Sequence, residues 1–311
     1  MMLDAPSRAG SHRHLLDVDA MGRAEIERIL DLATEMRVRR AARTHRSMLE
    51  AETVGLAFYE GSTRTRVSFE LAARALGATV VNLDLAGSSV SKGESLVDTL
   101  RTLERTGVTT LVLRHHASGA PYLAARTTGM AIVNAGDGMH AHPTQALLDA
   151  LTLREALGPL DGRTIAIVGD VAHSRVARSN VHTLARLGAR VRLGGPAAWV
   201  RGFDGLPGVT IAGTLREAIG GADAVMALRV QLKRTGNPAQ SLRKYTSRWR
   251  LGEASMQLAA AGAPILHPGP TNEGVELTAE LANGPRSLIG RQVENGVPVR
   301  MAVLALTAGA A

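Results

Sequence analysis

Val54-Gly55-Leu56-Ala57-Phe58-Tyr59-Glu60-Gly61-Ser62-Thr63-Arg64-Thr65-Arg66-Val67-Ser68-Phe69-Glu70-Leu71 is the stretch whose reading decides the fold. Its first six residues are an apolar run of strand length, and Val67 to Gly77 carries helical patterning. Between them, Ser62-Thr63-Arg64-Thr65-Arg66 gathers hydroxyls, backbone N–H groups and two guanidiniums where a strand hands over to a helix. The first turn of a helix has unpaired amides and the positive end of the dipole, and Arg adds forked donors, so this arrangement suits a phosphate. A Ser/Thr N-cap followed by two solvated arginines is the plainer account. The position directly after a buried strand favours the anion grip.

The alternation continues outward from this point. A helical pattern covers about 21–43, with Ile26, Ile29, Leu30, Leu32 and Ala33 apolar among charges. Strands are expected at 53–59, 79–85, 108–114 and 130–134, with helices at 65–76, 92–106 and 120–128 between them. A long helix follows from His142 to Leu157, with Pro143 in its first turn and Gly158-Pro159 closing it. A second series then runs through strand 164–168, helix 175–187, strands 190–193 and 209–212, helix 215–220 and strand 223–228. The polar stretch from Gln231 to Gly252 reads as a mobile loop with a short helix. Strand 264–267 and a last apolar helix over 297–307 complete the pattern.

This order predicts an α/β chain of two domains, each a parallel sheet flanked by helices, joined by long helices. The expected division is 1–150 for the first domain, completed by a C-terminal helix at 293–311, and 151–292 for the second. A length of 311 residues and a hydrophobic content of 45% suffice for two cores. No cysteine is present, which excludes disulfides, thiolate metal sites and a Cys nucleophile and fits a cytoplasmic location. No apolar run is long enough to cross a membrane, and Met1 to His14 is polar and basic rather than signal-like. Net charge is +8, but aromatics make up 3% and no Lys/Arg block forms a tail, so nucleic acid is not the expected partner. Anionic small molecules account for part of the basicity.

Further candidates sit at strand ends and helix starts. Ser88-Ser89-Val90-Ser91-Lys92-Gly93-Glu94 puts a lone lysine just ahead of a helix, where a cation opposes the dipole unless an anion lies near. Arg114-His115-His116 follows a strand, and the carboxyl ends of parallel strands face the binding crevice of an open sheet. His142-Pro143-Thr144-Gln145 places an imidazole and an amide three residues apart at a helix start. Val168-Gly169-Asp170 with His173-Ser174-Arg175 is a glycine turn, but the Gly-x-Gly-x-x-Gly fingerprint is absent, which disfavours a dinucleotide fold. Leu228-Arg229-Val230-Gln231 and His267-Pro268-Gly269-Pro270 close two more strands. No carboxylate or second His stands at helix spacing to make a metal site, so neither metal nor cofactor is expected. Arg, Lys, His and Gln together suit polyanionic substrates, with positioning and electrostatics supplying catalysis.

Together these motifs resemble the aspartate/ornithine carbamoyltransferase family, in the family's order from about residue 14 to 307. Ser-Thr-Arg-Thr-Arg with His-Pro-x-Gln is specific to it. The Ser88–Glu94 loop, Leu228-Arg229-Val230-Gln231 and His267-Pro268-Gly269-Pro270 match its aspartate branch. The ornithine branch carries Asp-x-x-x-Ser-Met-Gly and His-Cys-Leu-Pro, both absent here, which leaves transfer to another amine such as ornithine as the alternative. The resemblance implies transfer of a carbamoyl group from carbamoyl phosphate to L-aspartate, in de novo pyrimidine (UMP) biosynthesis. It implies that Ser62, Thr63, Arg64 and Thr65 hold phosphate, and that Thr65, Arg114 and His142 bind the carbamoyl oxygen. Gln145 and the carbonyls near Gly269 and Pro270 would take the carbamoyl NH₂, and Arg175, Arg229 and Gln231 the aspartate carboxylates. Ser88 and Lys92 would enter a neighbouring subunit's site in a homotrimer, with Lys92 touching aspartate and acting in catalysis. A dodecamer with regulatory chains and a complex with dihydroorotase both remain open. Two departures stand out: Gly61 where the family often has Pro, and Glu273 where many relatives have Arg.

Overall fold

The computed structural model describes residues 14–42, 44, 47–83, 95–203, 205–230 and 238–311. Its contacts divide the chain into two compact units, 1–144 with 296–311, and 145–295.

In the first unit, helix α1 (Arg23–Ala41) precedes β1 (Thr53–Phe58), α2 (Thr63–Ala75), β2 (Thr79–Asn82), α3 (Leu96–Arg105), β3 (Thr110–His115), α4 (Ala120–Thr127) and β4 (Ala131–Asp137). The strands form one parallel sheet in the order β2-β1-β3-β4. β1, β3 and β4 are buried nearly throughout, as two-sided cover by crossover helices requires. β2 is mostly exposed. The β4 edge is covered by the incoming chain, where Leu15 pairs with Val133 through bonds of 2.8 Å to Ile132 and Asn134. Gly77, at φ +88°, stops α2 in the left-handed conformation that glycine adopts without penalty.

The second unit begins within α5 (Pro143–Leu157) and continues through β5 (Thr164–Val168), α6 (Arg175–Arg186), β6 (Arg190–Gly194), β7 (Val209–Ala212), α7 (Leu215–Ile219) and β8 (Ala224–Ala227). Then come α8 (Pro238–Trp249), α9 (Glu253–Met256), β9 (Ile265–Leu266), α10 (Ala279–Asn283) and α11 (Ile289–Thr307), which returns to the first unit from Gly296 on. The sheet is again parallel, in the order β7-β6-β5-β8-β9.

Several boundaries differ from expectation for physical reasons. α3 starts at Leu96, not 92, because Ser95 is its N-cap, accepting from Asp98 N at 3.2 Å. β4 runs on to Asp137 because a bulge at Ala135-Gly136, opposite Arg114, restores pairing between His115 and Asp137. α8 has twelve residues, anchored by Tyr245 and Trp249 in the core. α11 begins at Ile289, ahead of both the expected apolar pattern at 297 and the expected C-terminal helix at 293, since its inward positions Gln292 and Asn295 are polar and leave no apolar stripe to read.

The β5–α6 turn depends on a glycine. Gly169 lies at φ +134°, and a Cβ there would sit 3.0 Å from both Cβ and O of Leu228 at the end of β8. Gly169→Ala therefore combines backbone strain with overpacking. It is expected to destabilise by on the order of 1–3 kcal/mol, read as a lower thermal midpoint.

Candidate active site

The strand orders determine where each unit can bind a ligand. The chain leaves β1 toward β2 on one flank and returns to β3 on the other, so the β1/β3 junction is a switch point. The loops from these two strands diverge there and open a crevice at the carboxyl ends. Phe58 pairs with Arg114 in register, and Tyr59 N bonds Arg114 O at 2.9 Å. The start of α2 and the Arg114 side chain thus belong to the same junction.

Ser62 is the N-cap of α2, yet its side chain makes no capping bond. It donates instead to Thr65 Oγ1 at 2.9 Å. The first helical i→i−4 bond is Arg66 N to Ser62 O at 3.0 Å, and no acid occupies the first turn. The amides of Thr63, Arg64 and Thr65 precede that bond, at the positive end of a thirteen-residue helix. Thr63 and Arg64 are exposed, whereas Thr65 is buried. Arg114 Nη1 donates to Ala135 O at 3.0 Å, and Nε lies 3.7 Å from Glu60 Oε2, an ion-pair contact longer than a hydrogen bond. His142 is buried directly ahead of α5. The preceding turn is built on the buried Asp137 carboxylate, which accepts from Gly119 N at 2.6 Å, Ala141 N at 3.1 Å and Asn134 Nδ2 at 2.9 Å. His140 sits beside it, 3.1 Å from Asp137 and 3.2 Å from Asp17.

The second unit repeats the construction. Its switch point lies between β5 and β8, where Val168 pairs with Ala227 and Leu228 N bonds Val168 O at 2.8 Å. The turn after β5 leads to Arg175, the first residue of α6, whose N-cap Ser174 accepts from Ala177 N at 3.1 Å. A cation there opposes the dipole, and the first turn holds no acid. Arg229, exposed just past β8, is 3.4 Å through Nε from Asn272 Oδ1. Past β9, His267 Nδ1 accepts from Gly269 N at 2.8 Å, so its proton sits on Nε2, which faces Glu276 Oε1 at 3.2 Å. The same Glu276 oxygen accepts from Asn272 N at 2.5 Å, and Asn272 Nδ2 reaches Val230 O at 3.2 Å. The strand end bearing Arg229 and the turn bearing Gly269 and Pro270 are therefore tied through one buried carboxylate. Gln145 opens the second unit and donates through Nε2 to Asp149 Oδ1 at 2.9 Å.

Ser88, Lys92 and Gln231 lie outside the described residues. Of the departures from the family pattern, Gly61 is exposed with open space where a Cβ would stand, and Glu273 is exposed. Sequence reasoning passed over Asp137, Asp149, Asn272, Glu276 and Gln292, the groups that orient the candidates. One signal was available: Asp149 interrupts the apolar run Ala146-Leu147-Leu148 and Ala150-Leu151. Among the described residues, no group of three or more His, Asp or Glu is arranged to hold a metal ion. No helix among them is long and apolar enough to cross a membrane.

Cationic and amide groups at two switch points define a class: an open α/β protein whose two sheets each present a place suited to an anionic small molecule. The carbamoyl-P binding domain of aspartate/ornithine carbamoyltransferases matches residues 13–155, and the Asp/Orn binding domain matches residues 161–307. The chain belongs to the aspartate/ornithine carbamoyltransferase family. It is 50% identical over 305 residues to an aspartate carbamoyltransferase catalytic subunit of Anaeromyxobacter sp. strain Fw109-5, covering 96% of each chain. It is 50% identical over 294 residues to that of Myxococcus xanthus, covering 94% of this chain and 98% of the relative. Among solved structures it is similar to aspartate transcarbamoylase from Trypanosoma cruzi in complex with carbamoyl aspartate and phosphate. That similarity has a TM-score of 0.87 at 32% identity and covers 95% of each chain. An ornithine carbamoyltransferase from Pyrococcus furiosus has a TM-score of 0.89 at 26% identity, over 96% of this chain and 98% of that one.

His115, beside Arg114, stacks on His116 at 4.2 Å and tilts against Tyr59 at 4.7 Å. Burial lowers its pKa below the usual 6.5, and the neighbouring His116 lowers it further. A depressed folded-state pKa means stability present above the unfolded value and lost as pH falls toward the folded one. The thermal midpoint is therefore expected to decline below pH 6.5. His115→Asn should flatten that decline, measured by thermal scans across pH.

Proposed function

We propose that this chain transfers the carbamoyl group of carbamoyl phosphate to the amine of L-aspartate, giving N-carbamoyl-L-aspartate and phosphate. The observation that carries the reading is the pairing of charges. The first unit has an acid-free helix N-terminus with Arg114 at its switch point, fitted to a phosphate. The second has Arg175 and Arg229 at its own, fitted to two carboxylates. Relatives about 50% identical over nearly the whole chain carry the aspartate name, which supports the same acceptor. Ornithine has one carboxylate and a second ammonium, which would face a guanidinium.

In this reading Ser62, Thr63 and Arg64 hold the phosphate on the first amides of α2. Thr65 accepts from Ser62, which leaves its own O–H to donate to the carbamoyl oxygen. Arg114 and His142 add donors to that oxygen, where negative charge grows as the amine attacks the carbonyl carbon. Arg114 is already anchored on Ala135 O and costs little reorganisation at that moment. The tetrahedral intermediate collapses with loss of phosphate, which can accept the amine proton, so no strong protein base is needed. Gln145 and the backbone carbonyls near Gly269 and Pro270 take the carbamoyl NH₂. Arg175, Arg229 and Gln231 bind aspartate. The first unit is accordingly the carbamoyl phosphate domain and the second the aspartate domain.

A colorimetric assay for carbamoyl aspartate with both substrates saturating should detect turnover, with ornithine inactive as acceptor. No product from aspartate refutes the reading. Arg229→Ala should lower kcat/KM for aspartate by a factor corresponding to about 2–5 kcal/mol, since a carboxylate loses its charged partner.

We propose further that Ser88 and Lys92 act in a neighbouring subunit of a homotrimer. Mixing Lys92→Ala with Arg64→Ala subunits should then regenerate some wild-type sites. The measurement is activity after confirmed subunit exchange, and no recovery argues against shared sites.

A further inference from the structure

The role of Gln145 depends on which end of its amide faces the substrate, and a buried carboxylate decides that. Asp149 is fully buried in α5, one turn after Gln145, among Ala146, Leu147, Leu148, Ala150 and Leu151. A buried carboxylate needs donors to offset its lost hydration. Three side-chain amides from three helices supply them: Gln145 Nε2 at 2.9 Å and Gln292 Nε2 at 2.7 Å to Oδ1, and Asn180 Nδ2 at 2.8 Å to Oδ2. An ionised carboxylate only accepts, so each amide must turn its nitrogen toward Asp149 and its oxygen away. For Gln292 the result is visible, since its Oε1 accepts His267 N at 2.9 Å, and His267 Nδ1 in turn accepts Gly269 N. For Gln145 the same constraint presents Oε1 as an acceptor.

We propose that Asp149 is a positioning residue for the reaction. One charge, through two glutamines, sets Gln145 Oε1 and the Gly269–Pro270 turn as acceptors matched to the two N–H bonds of the carbamoyl NH₂. Asp149 touches no substrate; it makes the amide-flipped arrangement, which would set NH₂ against NH₂, unfavourable. The inference rests on the carbamoyl transfer reading above and deepens it.

The test uses the full-length protein with Asp149→Asn. The new side chain has its own NH₂ and can no longer orient every partner. The expected fall in kcat/KM for carbamoyl phosphate is on the order of 10- to 100-fold, the range of a buried hydrogen bond lost or misdirected. With Gln145→Ala, the double variant should be at least about 10-fold more active than the product of the single losses, because the two changes remove one device. Unchanged kcat/KM, or losses that simply multiply, overturns the proposal. Hydrogen exchange provides a readout without turnover: the His267 and Gly269 amides should exchange faster in Asp149→Asn, and unchanged protection also overturns it. Failure of the unsubstituted chain to turn over refutes the activity reading, while exchange still reports on Asp149.

If Asp149→Asn does not fold, Gln145→Glu and Gln145→Met decide. Gln145→Glu keeps an acceptor for substrate but sets a carboxylate against Asp149. It should be as impaired as Gln145→Met at pH 8 and recover toward acid pH as the pair shares a proton. Near-normal activity of Gln145→Glu at pH 8 overturns the proposal.

Discussion

Parallel strand pairing is the constraint on which the rest depends. Every pairing between named strands in both sheets is parallel, so each connection must cross over and every strand delivers its carboxyl end to the same side. The order β2-β1-β3-β4 separates the loops after β1 and β3, and β7-β6-β5-β8-β9 separates those after β5 and β8. The backbone thus prepares two crevices before any side chain is chosen. The sequence then places arginines and a helix N-terminus at those junctions.

Electrostatics gives the crevices their chemistry, and buried carboxylates give them their shape. Arg175 begins α6 where the dipole disfavours a cation, and α2 begins without an acid or a side-chain cap. In the proposed reading a bound anion compensates both arrangements. Behind them lie Asp137, Asp149 and Glu276, each fully buried and each accepting from several donors. These groups do not face the ligand in the proposed reading. They hold the turns and amides that do.

The sequence made the alternation of strands and helices legible because buried parallel strands are short apolar runs bounded by turn residues. The first-layer candidates were legible for a related reason: Ser62 to Arg66, Arg114, Arg175 and Arg229 occur where such runs end. The supporting layer was harder to read. Gln292 and Asn295 face inward from α11, and their polarity concealed the first two turns of that helix. Glu276 and Asn272 reach Arg229 and His267 only through the tertiary fold, with no sequence period to mark them. The β4 extension to Asp137 depends on a bulge at Ala135-Gly136 within β4 itself, which no sequence period marks.

The bare start of α2 also bears on how the protein can be made more robust. A common route to a sturdier helix is a capping box, with Glu three residues after a Ser N-cap. In α2 that position is Thr65. A carboxylate there would accept from the Ser62 N–H while the Ser62 hydroxyl took the residue-65 amide, and its negative charge would stand where a transient anion is proposed to sit. The helix end is therefore a place where thermal stability and turnover draw on the same few N–H groups. Sequence drift toward stability at this turn would mark a chain that has given up its substrate.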